Sequence, residues 1–213
     1  MPVPDDKIKL SVLMLSIPSR NLQMVFLFNK LQAQIADLAE PRNVELLVLI
    51  DNCSKSIADK RNDLLRASRG KYIAYLDDDD DVADGYFVKL IGCIDSHGFA
   101  DCITFKQHCL IDGEPLLVDF GIGHPHGELV RGQSGGFMDI KRPPYHMCLW
   151  KRELALSENF KSVYSKNGQS TEDIDWLLRL YPKVQTEMHI DAVLHYYVYN
   201  RETTASLIPR EFQ

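Results

Sequence analysis

The sequence predicts an α/β fold: a doubly wound, mostly parallel sheet with a smaller antiparallel portion, forming one domain over residues 1–213. Three observations predict it. Apolar runs of strand length alternate with helix-periodic segments through the first hundred residues. The strand segments are continuously apolar, as strands covered on both faces must be. Polar residues follow directly after each strand, at the carboxyl ends where ligands bind in such sheets.

The elements follow in order. Residues 10–17 form a buried strand, and residues 24–39 a helix with Leu27, Phe28, Leu31, Ile35 and Leu38 at helical spacing. Residues 44–50 are a second buried strand. Residues 57–69 are a second helix, with Gly70 as its stop signal. A third strand over 72–76 leads to a third helix over 84–97, which gathers Tyr86, Phe87, Leu90, Ile91 and Ile94 on one face. Beyond residue 100 the pattern loosens. Residues 102–110 and 114–120 read as a hairpin around Asp112 and Gly113. Residues 121–144 are rich in glycine and proline and read as a long loop; 121–145 is expected to act as a lid that excludes water. A short helix over 172–180 and strands over 184–190 and 194–200 complete the chain, with the last dozen residues read as a tail.

Composition narrows the function classes. Hydrophobic residues make up 45%, charged residues 25%, and the net charge is −6, so no basic stripe marks a nucleic-acid binder. No apolar run approaches the roughly 18 residues of a membrane span, and residues 1–9 lack the basic and apolar regions of a secretory leader. The 5 cysteines are widely spaced with no C-x-x-C pair, which fits a reduced, cytoplasmic protein.

Chemistry concentrates at a few places. Asp77, Asp78, Asp79, Asp80 and Asp81 follow the third strand without interruption. Adjacent carboxylates repel, and a hard divalent cation such as Mg2+ or Mn2+ relieves them. In an extended or turning segment, alternate residues such as Asp77 and Asp79 project to the same side. A solvated acidic loop is the alternative. On the second helix Arg61 falls within the stripe set by Ile57, Leu64 and Leu65, where a guanidinium needs an anionic partner. That partner is either a protein carboxylate, such as Asp51 or the acidic run, or a ligand phosphate or base; Lys60 flanks the same cleft. Ser170, Thr171, Glu172 and Asp173 open the last helix. They read either as a cap or as a source of a general base. With Ile174, Leu177, Leu178 and Tyr181 facing the core, Asp173 lies at the edge of the apolar face and Glu172 nearly opposite, so Asp173 is the acid expected to look into a cleft.

These motifs together resemble the family 2 glycosyltransferases, which have the GT-A nucleotide-sugar-binding fold. The residues that carry the resemblance are LMLSIPSR at 13–20, LVLIDN at 47–52, ADKRNDLLRASRG at 58–70, KYIAYLDDDD at 71–80, TEDIDWLLRL at 171–180 and LHYYVYN at 194–200. The resemblance implies a nucleotide-sugar-binding half over about residues 1–100 and an acceptor-binding half over about 101–213. It implies that Ser16, Pro18, Ser19 and Arg20 lie beside the nucleotide, that Asp51 accepts from uracil, and that Lys60 and Arg61 contact the base or diphosphate. Asp77 and Asp78 then meet the ribose or the metal, Asp79 holds the metal, and Asp173 is the catalytic base. His146 matches a position near the sugar, and His195 a late metal ligand or diphosphate contact; ordinary packing is the alternative for both. The implied activity is metal-dependent, inverting transfer of one sugar from a UDP-sugar, UDP-glucose or a relative, to a hydroxyl acceptor. A nucleotidyltransferase is the first rival, but it calls for a glycine-rich phosphate loop after the first strand, and residues 16–20 contain no glycine. A non-catalytic nucleotide-sugar-binding module is the second.

Overall fold

A computed structural model of the chain describes residues 8–111, 113–124, 128–131, 138–166, 168 and 170–199. Strand β1 (Leu10–Ser16) is buried along its whole length and lies between two parallel neighbours, β2 (Val44–Ile50) and β3 (Tyr72–Asp77). The chain crosses from β1 out to β2, then back past β1 to β3. Right-handed crossovers in opposite directions put the intervening helices on opposite faces. Accordingly α1 (Asn21–Ala36) packs with α3 (Tyr86–His97), while α2 (Ile57–Ala67) packs with α5 (Glu172–Leu180). The direction reverses between β1 and β3, so the binding crevice of a doubly wound sheet opens at Ser16 and Asp77.

The sheet then becomes mixed. Among the described residues it has 10 strands, with β9 (Leu149–Lys151) antiparallel to both β3 and β5 (Cys102–Ile111). The expected hairpin of β5 with β6 (Glu114–Phe120) is present. Within the expected long loop, two stretches are instead strands: β7 (Glu128–Arg131) pairs with β8 (Met138–Arg142), and β8 continues the sheet from β6. Residues 125–127 and 132–137 of the expected lid, and the expected tail from residue 200 on, lie outside the described residues. The two last expected strands are one, β10 (Glu187–Tyr199), parallel to β5 with register shifts between Ile190 and His195. Its far side pairs with the two-residue β4 (Asp81–Val82). An additional turn of helix, α4 (Arg152–Ala155), follows β9.

Three local readings need correction. First, β2 is half-exposed rather than buried, with Val48 and Ile50 open to solvent, because it is the edge of the sheet. Second, α2 ends at Ala67 and Ser68 is already extended, so Gly70 is no helix cap. A Cβ on Gly70 would stand 2.5 Å from the Ser11 amide nitrogen, and close backbone approach to β1 is what demands glycine there. Third, α5 is rotated from the expected phase. Its buried residues are Glu172, Trp176, Leu177 and Leu180, while Ile174 and Leu178 are exposed. An aromatic cluster pulls this face inward: Trp176 stacks on Phe160 at 4.5 Å between ring centroids and meets Trp150 edge-on at 5.6 Å.

Candidate active site

The acidic run turns rather than extends. Asp80 N donates to Asp77 O at 3.1 Å, and Asp77 N donates to Asp80 Oδ2 at 2.8 Å. The turn distributes the carboxylates among different partners. Asp78 receives the Ser16 hydroxyl at 2.6 Å and Arg20 Nη1 at 2.6 Å. Asp79 lies 3.2 Å from Arg20 Nη2, so one guanidinium serves two adjacent acids. Asp80 faces inward, its Oδ2 3.2 Å from His195 Nε2. Asp81 pairs with Lys30 at 2.7 Å. Asp77 and Asp79, expected on the same side of the segment whether extended or turning, meet different partners; it is Asp78 and Asp79 that share a cation.

Arg61 is only 3% exposed, and its partners are protein carboxylates. Nη2 donates to Asp77 Oδ1 at 3.1 Å, and Nε to Glu172 Oε1 at 3.3 Å. The guanidinium lies over the rings of Tyr75 (5.2 Å) and Phe160 (5.9 Å). Burial works against its charge, but Asp77, Glu172 and Asp173 together hold it firmly protonated. Its Nη1 is buried with no hydrogen-bond partner. Glu172 is therefore buried in the site rather than pointing away, and it also accepts from the Ser170 hydroxyl at 2.5 Å. Asn62, which follows Arg61 on α2, clamps the backbone of Phe160 in both directions, at 2.9 and 2.8 Å. The adjacent basic residue, Lys60, is equally buried but pairs with Asp51 at 2.8 Å.

His146 closes the arrangement. Its Nε2 is 3.7 Å from Asp77 Oδ2 and its Nδ1 is 3.5 Å from Asp173 Oδ2. Burial and Arg61 depress the imidazolium, but Asp173 and Asp77 outweigh them and raise its pKa to about 9. Burial alone would raise Asp173; the close approach and charge of His146, with help from Arg61 and Tyr145, bring it down to about 2. Asp77 is likewise driven well below the usual carboxylate range, against the push of burial, by Arg61 and His146. Asp79 behaves oppositely. Burial and its neighbours Asp77, Asp80 and Asp78 outweigh Arg20 and push it up to about 6.

The structure thus brings Arg61, Asp77, His146 and Asp173 into one cluster, and Ser16, Arg20, Asp78 and Asp79 into an adjoining one. Pro18 and Ser19 lie exposed on the 3₁₀ turn that carries Arg20. Asp51 and Lys60 form their own pair at the end of β2, where Asp51 Oδ2 also accepts from Ser54 Oγ (3.0 Å) and Lys55 N (2.9 Å). Asp51 Oδ2 is thereby hydrogen-bonded, while Oδ1 is ion-paired with Lys60 without a hydrogen bond. His195 is fully buried, with Nδ1 2.9 Å from Gln107 Nε2 and Nε2 3.2 Å from Asp80 Oδ2 but without a hydrogen bond. Sequence reasoning named Glu172 and Asp80 but placed Glu172 away from the site and gave Asp80 no partner, and it did not single out Tyr145 or Gln107; their contacts are long-range.

An open depression of about 380 Å³ adjoins the acidic turn, lined by Leu22, Gln23, Phe26 and Leu27 of α1 and by Asp78, Asp79, Asp80 and Asp81. Among the described residues, no three His, Cys, Asp or Glu side chains are grouped to hold a metal ion by themselves. Asp77, Asp79 and His195 therefore do not make a preformed metal site. Asp79 fits a smaller role. Mg2+-type cations commonly use one or two carboxylates and complete their shell with water and substrate phosphates. Asp79 is 32% exposed and crowded by like charge, as a single carboxylate anchor would be.

The chain matches no protein-family model and no curated protein. Among solved structures it is similar to Staphylococcus aureus TarS. The match to TarS 1-349 in complex with UDP has a TM-score of 0.62 at 16% identity, covering 92% of this chain and 62% of that one. The match to the complex with UDP-GlcNAc has a TM-score of 0.62 at 15% identity, covering 91% and 59%. The chain spans less than two thirds of the length of these structures. The likeness establishes a single α/β domain of the GT-A type. No helix among the described residues is long and apolar enough to cross a membrane.

Proposed function

We propose that the protein is a glycosyltransferase that moves one sugar from a UDP-sugar to a hydroxyl acceptor with inversion at the anomeric carbon. One observation carries this reading: the acids after β3 and the acid opening α5, far apart in sequence, meet around Arg61 and His146 at the carboxyl ends of the sheet. The fold it shares with TarS, whose structures hold UDP and UDP-GlcNAc, supports UDP-sugars as the donor class. UDP-glucose and UDP-GlcNAc are the donors to try first.

In this reading Asp173 is the base. It is ionised and 17% exposed, open enough to meet an acceptor hydroxyl. The acceptor oxygen attacks the anomeric carbon from the face opposite the diphosphate. The carbon–oxygen bond to the diphosphate breaks, its electron pair leaves with UDP, and Asp173 takes the acceptor proton. One displacement needs one base, and Arg61, Glu172 and His146 fix the helix start that holds it. Asp79 would anchor a divalent cation, Mn2+ or Mg2+, which when bound neutralises charge on the departing diphosphate. Arg20, already forked onto Asp78 and Asp79, stands next to that phosphate site.

The test is product analysis. The full chain is incubated with UDP-glucose or UDP-GlcNAc, Mn2+ and a panel of saccharide and lipid-linked acceptors, and products are read by mass spectrometry. A mass gain of one hexose or N-acetylhexosamine with release of UDP is expected. Cleavage of nucleoside triphosphates in place of UDP-sugars would favour a nucleotidyltransferase, and binding of UDP without turnover a non-catalytic module.

A further inference from the structure

His146 has both ring nitrogens directed at carboxylates of the protein itself, on opposite sides of the site. That is not the environment of a residue waiting for a sugar. We propose that His146 is a positioning residue: it bridges Asp77 at the end of β3 to Asp173 at the start of α5 and so sets the base against the donor. The proposal rests on the transferase reading and names how its two halves are held in register.

Support comes first from how the imidazole is mounted. Its backbone carbonyl accepts from Tyr75 N on β3 at 3.2 Å, and the turn that carries it is closed by Cys148 N to Tyr145 O at 3.0 Å. Trp150 Nε1 donates to Tyr145 O at 3.0 Å, and the Tyr181 hydroxyl donates to Pro144 O at 2.5 Å. The Tyr145 ring lies 4.9 Å from the imidazole. The segment that carries the imidazole is thus tied to β3 and to the Trp150 and Tyr181 side chains, as alignment of a reacting group requires.

The second support is the gap the imidazole spans. Asp77 belongs to the parallel β1–β3 unit and Asp173 to α5, which reaches the site from the other half of the chain. Arg61 ties the same two elements through Asp77 and Glu172 but leaves Asp173 without a direct hydrogen bond. His146 approaches it instead by charge, Nδ1 lying 3.5 Å from Asp173 Oδ2 as an ion-pair contact without a hydrogen bond. Such a buried ionic bridge is no better for stability than a well-packed apolar group, so its place beside the base points to alignment.

A double-mutant cycle on turnover tests this. UDP release from UDP-glucose and UDP-GlcNAc is measured with Mn2+, with water or a saccharide as acceptor, for wild type, His146→Gln, Asp173→Asn and the double variant. Donor KM and thermal melting are measured alongside. His146→Gln should lower kcat by about 10- to 100-fold, the scale of a small misplacement of reacting groups, with donor KM within about threefold. The double variant should be no slower than Asp173→Asn alone, since His146 acts through Asp173. His146→Lys keeps a cation between the two acids and guards against loss of folding. It should melt near wild type yet turn over as slowly as His146→Gln. Independent, multiplying losses, a loss confined to donor KM, or full recovery in His146→Lys would overturn the role of His146 while leaving the transferase intact. Wild type that releases no UDP from either donor would overturn the transferase reading, and this proposal with it.

Discussion

Asp77 and Asp79 lie on the same turn, yet their surroundings have opposite electrostatic sense. Asp77 faces Arg61 and His146 and is held ionised; Asp79 shares one guanidinium with Asp78 and is pushed up to about 6. Asp77 is a closed position, its charge already balanced by the chain. Asp79 is an open one, carrying charge that the chain alone leaves partly unbalanced. The difference lies in charge rather than exposure, since the two side chains are 33% and 32% exposed: Asp77 is balanced by the chain's own cations, and Asp79, crowded by like charge, is the carboxylate proposed to anchor a cation from solution.

The largest expected effect lies where the closed side meets the chemistry. Asp173→Asn keeps shape but removes the proton acceptor, so UDP release should fall by about 10²- to 10⁴-fold, with UDP affinity within about threefold. Initial rates beside calorimetric UDP binding would show it. A loss of affinity equal to the loss of rate would mean that Asp173 holds the donor.

Next in size is the brace. Arg61→Met strands Glu172 as a buried charge and takes the counter-charge from Asp77, which is one-third exposed, so about 3 kcal/mol of stability should go with it. Urea denaturation midpoints measure this. A cost below about 1 kcal/mol would place Asp77 among the open positions, alongside Asp79.

The two positions also predict opposite pH dependence in metal-free protein. Asp173, at about 2 in the folded chain, and Asp77, also held below the usual carboxylate range, contribute stability above their ordinary value of 3.8, and that stability drains away as pH falls below it. Asp79 is raised from 3.8 to about 6, so its ionisation opposes folding increasingly as pH climbs between those values. Asp79→Asn should therefore melt above wild type at pH 7, and the gap should close by about pH 4. A gap that widens toward acid would show that Asp79 is paired as Asp77 is. A smaller effect is expected at Arg20, which is partly exposed. Arg20→Gln should lower the melting temperature of metal-free protein slightly, by roughly 1 kcal/mol or less, and Mn2+ should recover part of it.

Much of this contrast was readable in the sequence, for stated reasons. The parallel strands are continuous apolar runs, so β1, β2 and β3 are visible without partners. A charge inside an apolar stripe cannot be solvent-facing, so Arg61 announced a buried anionic partner, and Asp77 in the acidic run is one. Glu172 escaped because the phase of α5 is set by Trp176 stacking on Phe160, a long-range contact that outweighs the Ile174 and Leu178 periodicity. The division among Asp77, Asp78, Asp79 and Asp80 was hidden too, because it depends on a turn that identical residues cannot signal. β10 read as two strands because its register shifts near Val193 interrupt the alternation.

The account rests most heavily on Asp79 as the open position, so calorimetric titration of UDP into wild type and Asp79→Asn, each with Mn2+ and with chelator, tests it most directly. Wild type should bind UDP at least about tenfold more tightly with Mn2+, a difference of about 1.4 kcal/mol, and Asp79→Asn should lose that gain. Equal UDP affinity under all four conditions, or a Mn2+ gain that survives in Asp79→Asn, would contradict it.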